Sequence, residues 1–442
     1  MAISILYSIV SVVIVLGIMI VVHEFGHFAA AKFFGVRVEV FSVGFGKRLL
    51  GFTRGETDYR ISALPFGGYV KMSGENPMES RTGDPGEFMS HPRWQRFIIA
   101  IAGPFMNIVL AVGLLTGVFM VHHEVLTFLH EPAVIGYVRP NSPAERSGFK
   151  PNDRIIRAES VDNPTWEDVF TRVLLSPNHP LEIVVQRGDE TLTKSITPEQ
   201  HGGEGPGDTG LAPAYKLVVS QLIPGMPAEK AGIKAGDEIN AVDNVPVLST
   251  EGLKSYFKSV QGREVTISGL RKGSPFSAKL TPVWDTQDNE FHAGFVQNPY
   301  KVEKLPFGRA FSESVASNRK LSGLILELVK KMVERKVSIQ AMDGPISIAK
   351  YSGEAARQEG WTPILQLMAG ISLNLGIFNL LPIPILDGGL ILLLFIEGLM
   401  RRDISQPVKE RIYQVAFVCL VLFAGVVIFN DVVKLLPGHH VQ

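Results

Sequence analysis

The chain has 442 residues, 46% of them hydrophobic and only 19% charged. Soluble domains average roughly 25% charged, so this composition, with a mean hydropathy of +0.18, points to a membrane protein. Its 43 basic and 43 acidic residues cancel, which gives no sign of a nucleic-acid partner, and a single cysteine, Cys419, excludes an internal disulfide framework or a Cys-based metal site.

Residues Met1 to Val22 carry no charged side chain. Ser4 to Val22 reads as a first membrane span, which needs roughly 20 residues, and the helix is expected to continue to about Phe34. No basic leader or small-residue cleavage site precedes its end, so the segment reads as retained. At that end stands His23-Glu24-Phe25-Gly26-His27. His23 and His27 are four residues apart and share one face of a helix, so their imidazoles can hold one zinc ion. Glu24, beside the first histidine, is placed to take a proton from a water. The pattern also arises as a helical turn with two satisfied histidines. Its position at the end of an apolar helix favours function, because ionisable groups at membrane depth are costly.

Residues 35–96 are rich in turns and short strands. Arg37 to Val43 and Tyr59 to Leu64 read as strands, with Gly44, Gly46 and Gly51 between them and Pro65-Phe66-Gly67-Gly68-Tyr69-Val70 after them. Such a hairpin is either a surface ribbon or a membrane-associated sheet that offers an edge to an extended substrate. Residues 97–121 form a second span, containing Ala102-Gly103-Pro104-Phe105-Met106-Asn107. Ten Lys and Arg residues lie from Lys32 to Arg96. They put this loop on the cytoplasmic side and the N-terminus outside.

Residues 125–296 are soluble in character and contain a tandem repeat. The block Ser142 to Ile155 matches Met226 to Ile239 at an offset of 84 residues. Each block reads as a short helix starting at Pro-Ala-Glu, a glycine stop, and an Asp-containing turn into a strand. The pattern resembles PDZ domains, over 125–213 and 214–297, which bind peptides by strand addition. A steric spacer with no ligand is the alternative.

Residues 303–361 read as amphipathic helices at the outer membrane surface. Residues 362–400 form a third, broken span with Asn379-Leu380-Leu381-Pro382-Ile383-Pro384-Ile385-Leu386-Asp387-Gly388-Gly389, and 412–436 the last. Non-helical backbone at that depth must be covered by protein or line a cavity. Arg401, Arg402, Lys409 and Arg411 place the intervening loop inside, so both termini lie outside. A zinc hydrolase site usually has three protein ligands. Asp387 is the acidic residue best placed to be the third, with Glu397 the nearest competitor and a helix-capping role the alternative. Asn379 and Asn374 can donate to a substrate backbone or a developing oxyanion, or can join helices.

These motifs together resemble the site-2 protease family, along essentially the whole chain. The resemblance extends to Pro65 to Met72 and to Gly103-Pro104-Phe105-Met106-Asn107. The family implies His23, His27 and Asp387 as ligands of one Zn²⁺, Glu24 as general base, and Asn379, with Pro382 and Pro384, in holding substrate. It implies a bacterial inner-membrane protease with the zinc site toward the cytoplasm and the PDZ-like domains periplasmic. Its substrate would be a single-pass membrane protein, such as a previously trimmed anti-sigma factor. Leu390 departs from family members that carry a histidine after the second glycine. The expected fold is a multi-pass α-helical membrane protein with four transmembrane helices, a membrane-associated β-hairpin and two inserted PDZ-like α+β domains. A peptide-binding scaffold with a degenerate metal site and an ion transporter are the competing classes. The intact set of His23, Glu24, His27 and Asp387 argues against the first, and the tandem repeats against the second.

Overall fold

The computed structural model describes residues 2–75, 83–200, 207–285, 289–297, 300–334, 344–358 and 360–434. Residues 342–343 of the expected break and 435–436 of the last expected span lie outside them. The chain divides into two compact units. One comprises 1–122, 304–329 and 342–440, and the other 123–303, 330–341 and 441–442.

The first unit is helical. It contains α1 (Ala2–Phe33), α2 (Arg93–Val121), α3 (Phe307–Val333), α4 (Pro345–Arg357), α5 (Thr362–Asn379), α6 (Asp387–Met400) and α7 (Gln406–Lys434). Helix α2 is central and packs against α1, α5 and α6. Helices apolar on every face belong in a core or in lipid. Among the described residues three are long and apolar enough to cross a membrane: Val10–Phe33, Arg93–Val121 and Gln406–Val433. The expected third, broken span is two shorter helices, α5 and α6, separated by residues 380–386. Pro382 and Pro384 have no N–H to continue a helix. A Cβ at Gly388 would meet the Leu381 carbonyl, and one at Gly389 the Ile383 carbonyl, so α6 starts hard against that turn.

Helix α7 exposes Phe417, Leu422 and Phe429 and is anchored near its ends by polar contacts. Lys409 Nζ lies 2.5 Å from Glu397 Oε1, both side chains being buried. Asp431, 1% exposed, accepts bonds from Gly344 N (3.0 Å), Ile346 N (2.9 Å), Ser347 N (3.2 Å) and Ser347 Oγ (2.9 Å). It thereby caps the N-terminus of α4, whose first N–H groups have no partner in their own helix.

Between α1 and α2 the antiparallel hairpin β1 (Val38–Arg54) and β2 (Thr57–Met72) is longer than the two expected strands and folds back on itself. Gly44 and Gly46, with φ of +89° and +86°, allow the bend. Residues 40–43 pair with 68–71 and also with 58–61, and 50–54 pair with 57–61. Of the strands expected to offer an edge, 37–43 and 59–64, residues 40–43 and 59–61 are therefore flanked on both sides. Among the described residues, the stretch 68–71 pairs only with 40–43.

The second unit contains two similar modules. In the first the strand order is 161–162, 154–158, 181–187, 190–196, over a core that includes Ile155, Trp166 and Ile183. In the second it is 274–280, 265–271, 238–242, 217–222, 295–297, over Leu217, Ile239 and Phe257. The repeated blocks form the expected short helices, Pro143–Arg146 and Pro227–Lys230. Gly148 (φ +72°) and Gly232 (φ +77°) stop them, and strands follow at 154 and 238. The likeness continues past the sequence match. Arg187 makes two bonds to buried Asp153 (2.6 and 2.7 Å) and one to Gly148 O (2.9 Å). Arg271 does the same with Asp237 (2.8 and 2.7 Å) and Gly232 O (2.7 Å). Each arginine thus ties the end of a strand to the turn after the short helix.

Chiefly through the Arg271 bonds, Asp237 is held below the usual carboxylate range. A carboxylate depressed on folding adds stability above its unfolded value of roughly 4, and that stability is lost as pH falls through the folded value. Arg271→Leu should therefore lower the urea midpoint for proteolysis within 214–297 at neutral pH. The gap to wild type should close in acid. An equal gap at both pH values would show that Arg271 acts by packing alone.

Candidate active site

The site is built on the contact between α1 and α2. A Cβ at Gly26 would strike the Ala102 carbonyl, and one at Gly103 would strike the His27 ring. The two backbones therefore approach closely, as small residues permit between membrane helices. His23 and His27, one turn apart on α1, project beside α2 and are 7% and 9% exposed. Their Nε2 atoms are 3.2 Å apart. The chain returns some 360 residues later, and the first residue of α6, Asp387, points its carboxylate at both. Oδ2 lies 3.1 Å from His23 Nε2, and Oδ1 lies 3.3 Å from His27 Nε2. Asp387 does not cap its own helix, where Leu386 holds the cap position without a side-chain bond.

These three donors suit a tetrahedral ion. With bonds of about 2.0–2.1 Å, the donor–donor edge of a tetrahedron is about 3.3–3.4 Å, close to the 3.2 Å between the two Nε2 atoms and to the 3.1 and 3.3 Å at which one Asp387 oxygen meets each of them. His27 Nδ1 donates to the Ile99 carbonyl at 2.8 Å, which leaves its Nε2 lone pair free. No other group of three or more such residues close enough to hold a metal ion occurs among the described residues. Glu24, on the next face of α1, is oriented by the hairpin: its Oε2 accepts from Val70 N at 3.0 Å. A cavity of about 300 Å³ opens over this group, lined by His23, Glu24, His27, Val70, Asn379 and Asp387 among others. A second cavity, of about 360 Å³, shares Asp387 and Glu75 with it and reaches Glu397 and Lys409.

The other expected residues separate. Asn379 lines the cavity, its Nδ2 3.5 Å from His23 Nε2. Asn374 is exposed and is not brought to the site. Five residues turn a helix by about 140°, so α5 cannot present both amides to one cavity. Pro382 is exposed and Pro384 half-buried; neither lines the cavity, which takes Ile385 and Leu386 from that segment. Ile385 has φ +92°, a strained conformation for a β-branched residue. Leu390 lines both cavities and packs with Val38, Met72 and Phe88. Sequence reasoning assigned no role to Val70, Ile99 or Asn107. The first two act through backbone atoms, which no side-chain pattern reveals.

A model of peptidase family M50 matches residues 11–423. The chain belongs to peptidase family M50, the site-2 protease family of metalloproteases. This M50 chain is 32% identical to the regulator of sigma-E protease RseP of Salmonella typhimurium (strain 14028s / SGSC 2262) and 31% identical to that of Escherichia coli (strain K12). It is 30% identical to a Vibrio cholerae protein whose name describes a zinc metalloprotease. Each alignment covers 98% of this chain and all of the relative.

The glycine contact predicts a difference between two substitutions on α1. Gly26→Ala should destabilise the detergent-solubilised protein by about 1–3 kcal/mol, as overpacking does. Gly17→Ala should be neutral or mildly stabilising, because nothing lies within 4 Å of a Cβ there. Thermal unfolding of the two variants beside wild type checks this. Equal midpoints would mean that the helices can separate without loss.

Proposed function

We propose that this M50 peptidase hydrolyses a peptide bond within the membrane segment of single-pass proteins, with His23, His27 and Asp387 as the ligands of one zinc ion. The observation that carries the reading is the close grouping of His23, His27 and Asp387, with both histidines inside the apolar span Val10–Phe33. Zinc held there would polarise the scissile carbonyl and make a water acidic enough to lose a proton near neutral pH. Glu24, its carboxylate fixed by the Val70 N–H, takes that proton and delivers it to the leaving amine nitrogen. Asn379 is the cavity amide available to the substrate backbone or the developing oxyanion. Pro382 and Pro384 support the segment that carries Asp387 and Ile385, and so act on substrate through its shape. A membrane helix hides its peptide bonds in its own ladder, so the substrate must be unwound to react. The stretch 68–71, beside Glu24 and paired on one side only among the described residues, is the strand best placed to receive it.

The names of the relatives suggest a sigma-E stress pathway, with a trimmed anti-sigma factor as substrate and the bacterial inner membrane as the location. In this reading the chain crosses four times, α5 and α6 together making the third crossing. Both termini and the two PDZ-like modules, 125–213 and 214–297, lie in the periplasm, with the zinc site toward the cytoplasm. The modules stand in the chain between two spans and supply no candidate ligand. Their proposed role is to exclude substrates with bulky ectodomains.

The test uses purified full-length protein with a single-pass substrate, with and without a chelator. Glu24→Gln should retain zinc and cleave roughly 10²- to 10⁴-fold more slowly. Asp387→Ala should lose both activity and stoichiometric zinc. If Asp387→Ala keeps its zinc, the ligand set is wrong; near wild-type turnover by Glu24→Gln removes the base. Joining the chain near 125 to 296 should permit cleavage of untrimmed substrates that the intact protein rejects. An unchanged ectodomain length limit would defeat the exclusion role.

A further inference from the structure

The stretch Gly103-Pro104-Phe105-Met106-Asn107 has so far supplied only the glycine that seats His27. On α2, Ile99, Gly103 and Asn107 follow one another at four-residue spacing and share a face. The Ile99 carbonyl holds His27 Nδ1. Gly103 lies against the His27 ring. The Asn107 side-chain amide lies one turn further along, 3.1 Å from Nδ1 of His23. One face of α2 therefore meets the outer nitrogens of both histidines. Asn107 is 0% exposed, and its backbone carbonyl accepts from Ser372 Oγ of α5 at 2.8 Å. Its Nδ2 faces the imidazole, while its Oδ1 is buried without a hydrogen-bond partner among the described residues. A buried amide oxygen left in that state is costly.

The two nitrogens opposite Asn107 and Ile99 have different freedom. A backbone carbonyl can only accept, so His27 carries a proton on Nδ1, and Nε2 is bare whenever the ring is neutral. An amide can donate or accept, depending on a half-turn about its Cβ–Cγ bond. With Nδ2 toward the ring, Asn107 donates to a bare Nδ1. The ring proton of His23 then sits on Nε2 and is given to Asp387 Oδ2, 3.1 Å away. With Oδ1 toward the ring, Asn107 accepts from Nδ1–H, and the Nε2 lone pair of His23 becomes available. Only the second arrangement lets His23 serve as a ligand through Nε2; it gives Oδ1 a donor and turns Nδ2 to the buried position that Oδ1 had occupied.

We propose that Asn107 is a positioning residue for His23. Its amide turns when the ion enters and then holds the ring in the tautomer that binds metal. The proposal rests on the reading of His23, His27 and Asp387 as zinc ligands. It makes the two histidines unequal: His27 is always ready, and His23 becomes ready only when Asn107 turns.

Zinc affinity by chelator competition, on full-length protein in detergent, tests the role without an activity assay. Asn107→Leu fills the space with neither donor nor acceptor and should weaken zinc by roughly 10- to 100-fold, as loss of a ligand's supporting partner does. Asn107→Asp keeps an acceptor and should bind zinc within about threefold of wild type, or more tightly. Unchanged affinity in Asn107→Leu overturns the proposal, and so does equal weakening in the two variants. Histidine ¹⁵N spectra of the wild type give a readout that needs no variant. Without zinc, the proton should sit on Nε2 of His23 and on Nδ1 of His27; with zinc, both should sit on Nδ1. The same tautomer for both rings in the zinc-free protein also overturns the proposal. His27→Ala run in parallel separates the failures. If the wild type holds no zinc that this variant loses, the ligand reading fails and takes the Asn107 proposal with it. If that control behaves and Asn107→Leu binds like wild type, only the role of Asn107 fails.

Discussion

Two glycines set the distance between α1 and α2, and the candidate site exists only at that distance. Gly26 brings α1 onto the backbone of α2 at Ala102, and Gly103 makes room for the His27 ring. Ordinary packed helices stand 8–10 Å apart, on average, with side chains between them. Here one helix supplies the imidazoles and the other, within hydrogen-bond reach, supplies the groups that hold them. The same device links α2 to α5. A Cβ at Gly376 would stand 3.0 Å from the Pro104 carbonyl, and Ser372 donates to the Asn107 carbonyl. In lipid, apolar burial gives little drive for one helix to meet another. Close approach and buried hydrogen bonds are what remain, and both gather on the face of α2 that carries Ile99, Gly103 and Asn107.

The parts of the site readable in the sequence are those governed by a short period or a composition conflict. His23 and His27 follow from the helical repeat, and Asp387 from a carboxylate in broken apolar sequence. In the structure the oxygens of Asp387 face the histidines, and the cap of α6 has no side-chain bond. What could not be read depends on neighbours distant in sequence. Alternation marks 37–43 as a strand but does not say that it has partners on both sides. The strand beside Glu24 lies beyond Leu64, where the second expected strand ends. Asn374 and Asn379 look equivalent in composition, and only the helical angle between them separates one from the other.

The second unit shows the same limit differently. The repeated blocks end at Ile155 and Ile239, where sequence identity fades. The structure carries the repeat on to Arg187 and Arg271, each 34 residues after its aspartate. An arginine at that distance in a sequence of this composition is unremarkable by itself. Its meaning comes from the strand pairing that returns it to the turn after the short helix. The conserved element of the repeat is therefore a contact between a strand end and a turn, and the helix–turn block is its visible half.

The charges around the cavity bear on why the proposed ion and the proposed base belong together. With both imidazoles neutral, as ligands must be, and both carboxylates ionised, His23, His27, Asp387 and Glu24 would sum to two negative charges in an apolar body. Such a group is expensive to desolvate. The N-terminus of α6 places a partial positive charge beside Asp387 and offsets a fraction of it. The Val70 N–H does the same, more weakly, for Glu24. A divalent cation at the meeting point of His23, His27 and Asp387 would bring the sum to zero, with Glu24 still ionised and able to accept a proton. A monovalent ion would leave a net negative charge, and a protonated Glu24 would leave a net positive one and no base. The donor set and the neighbouring glutamate thus balance each other: the first calls for two positive charges only because the second is present.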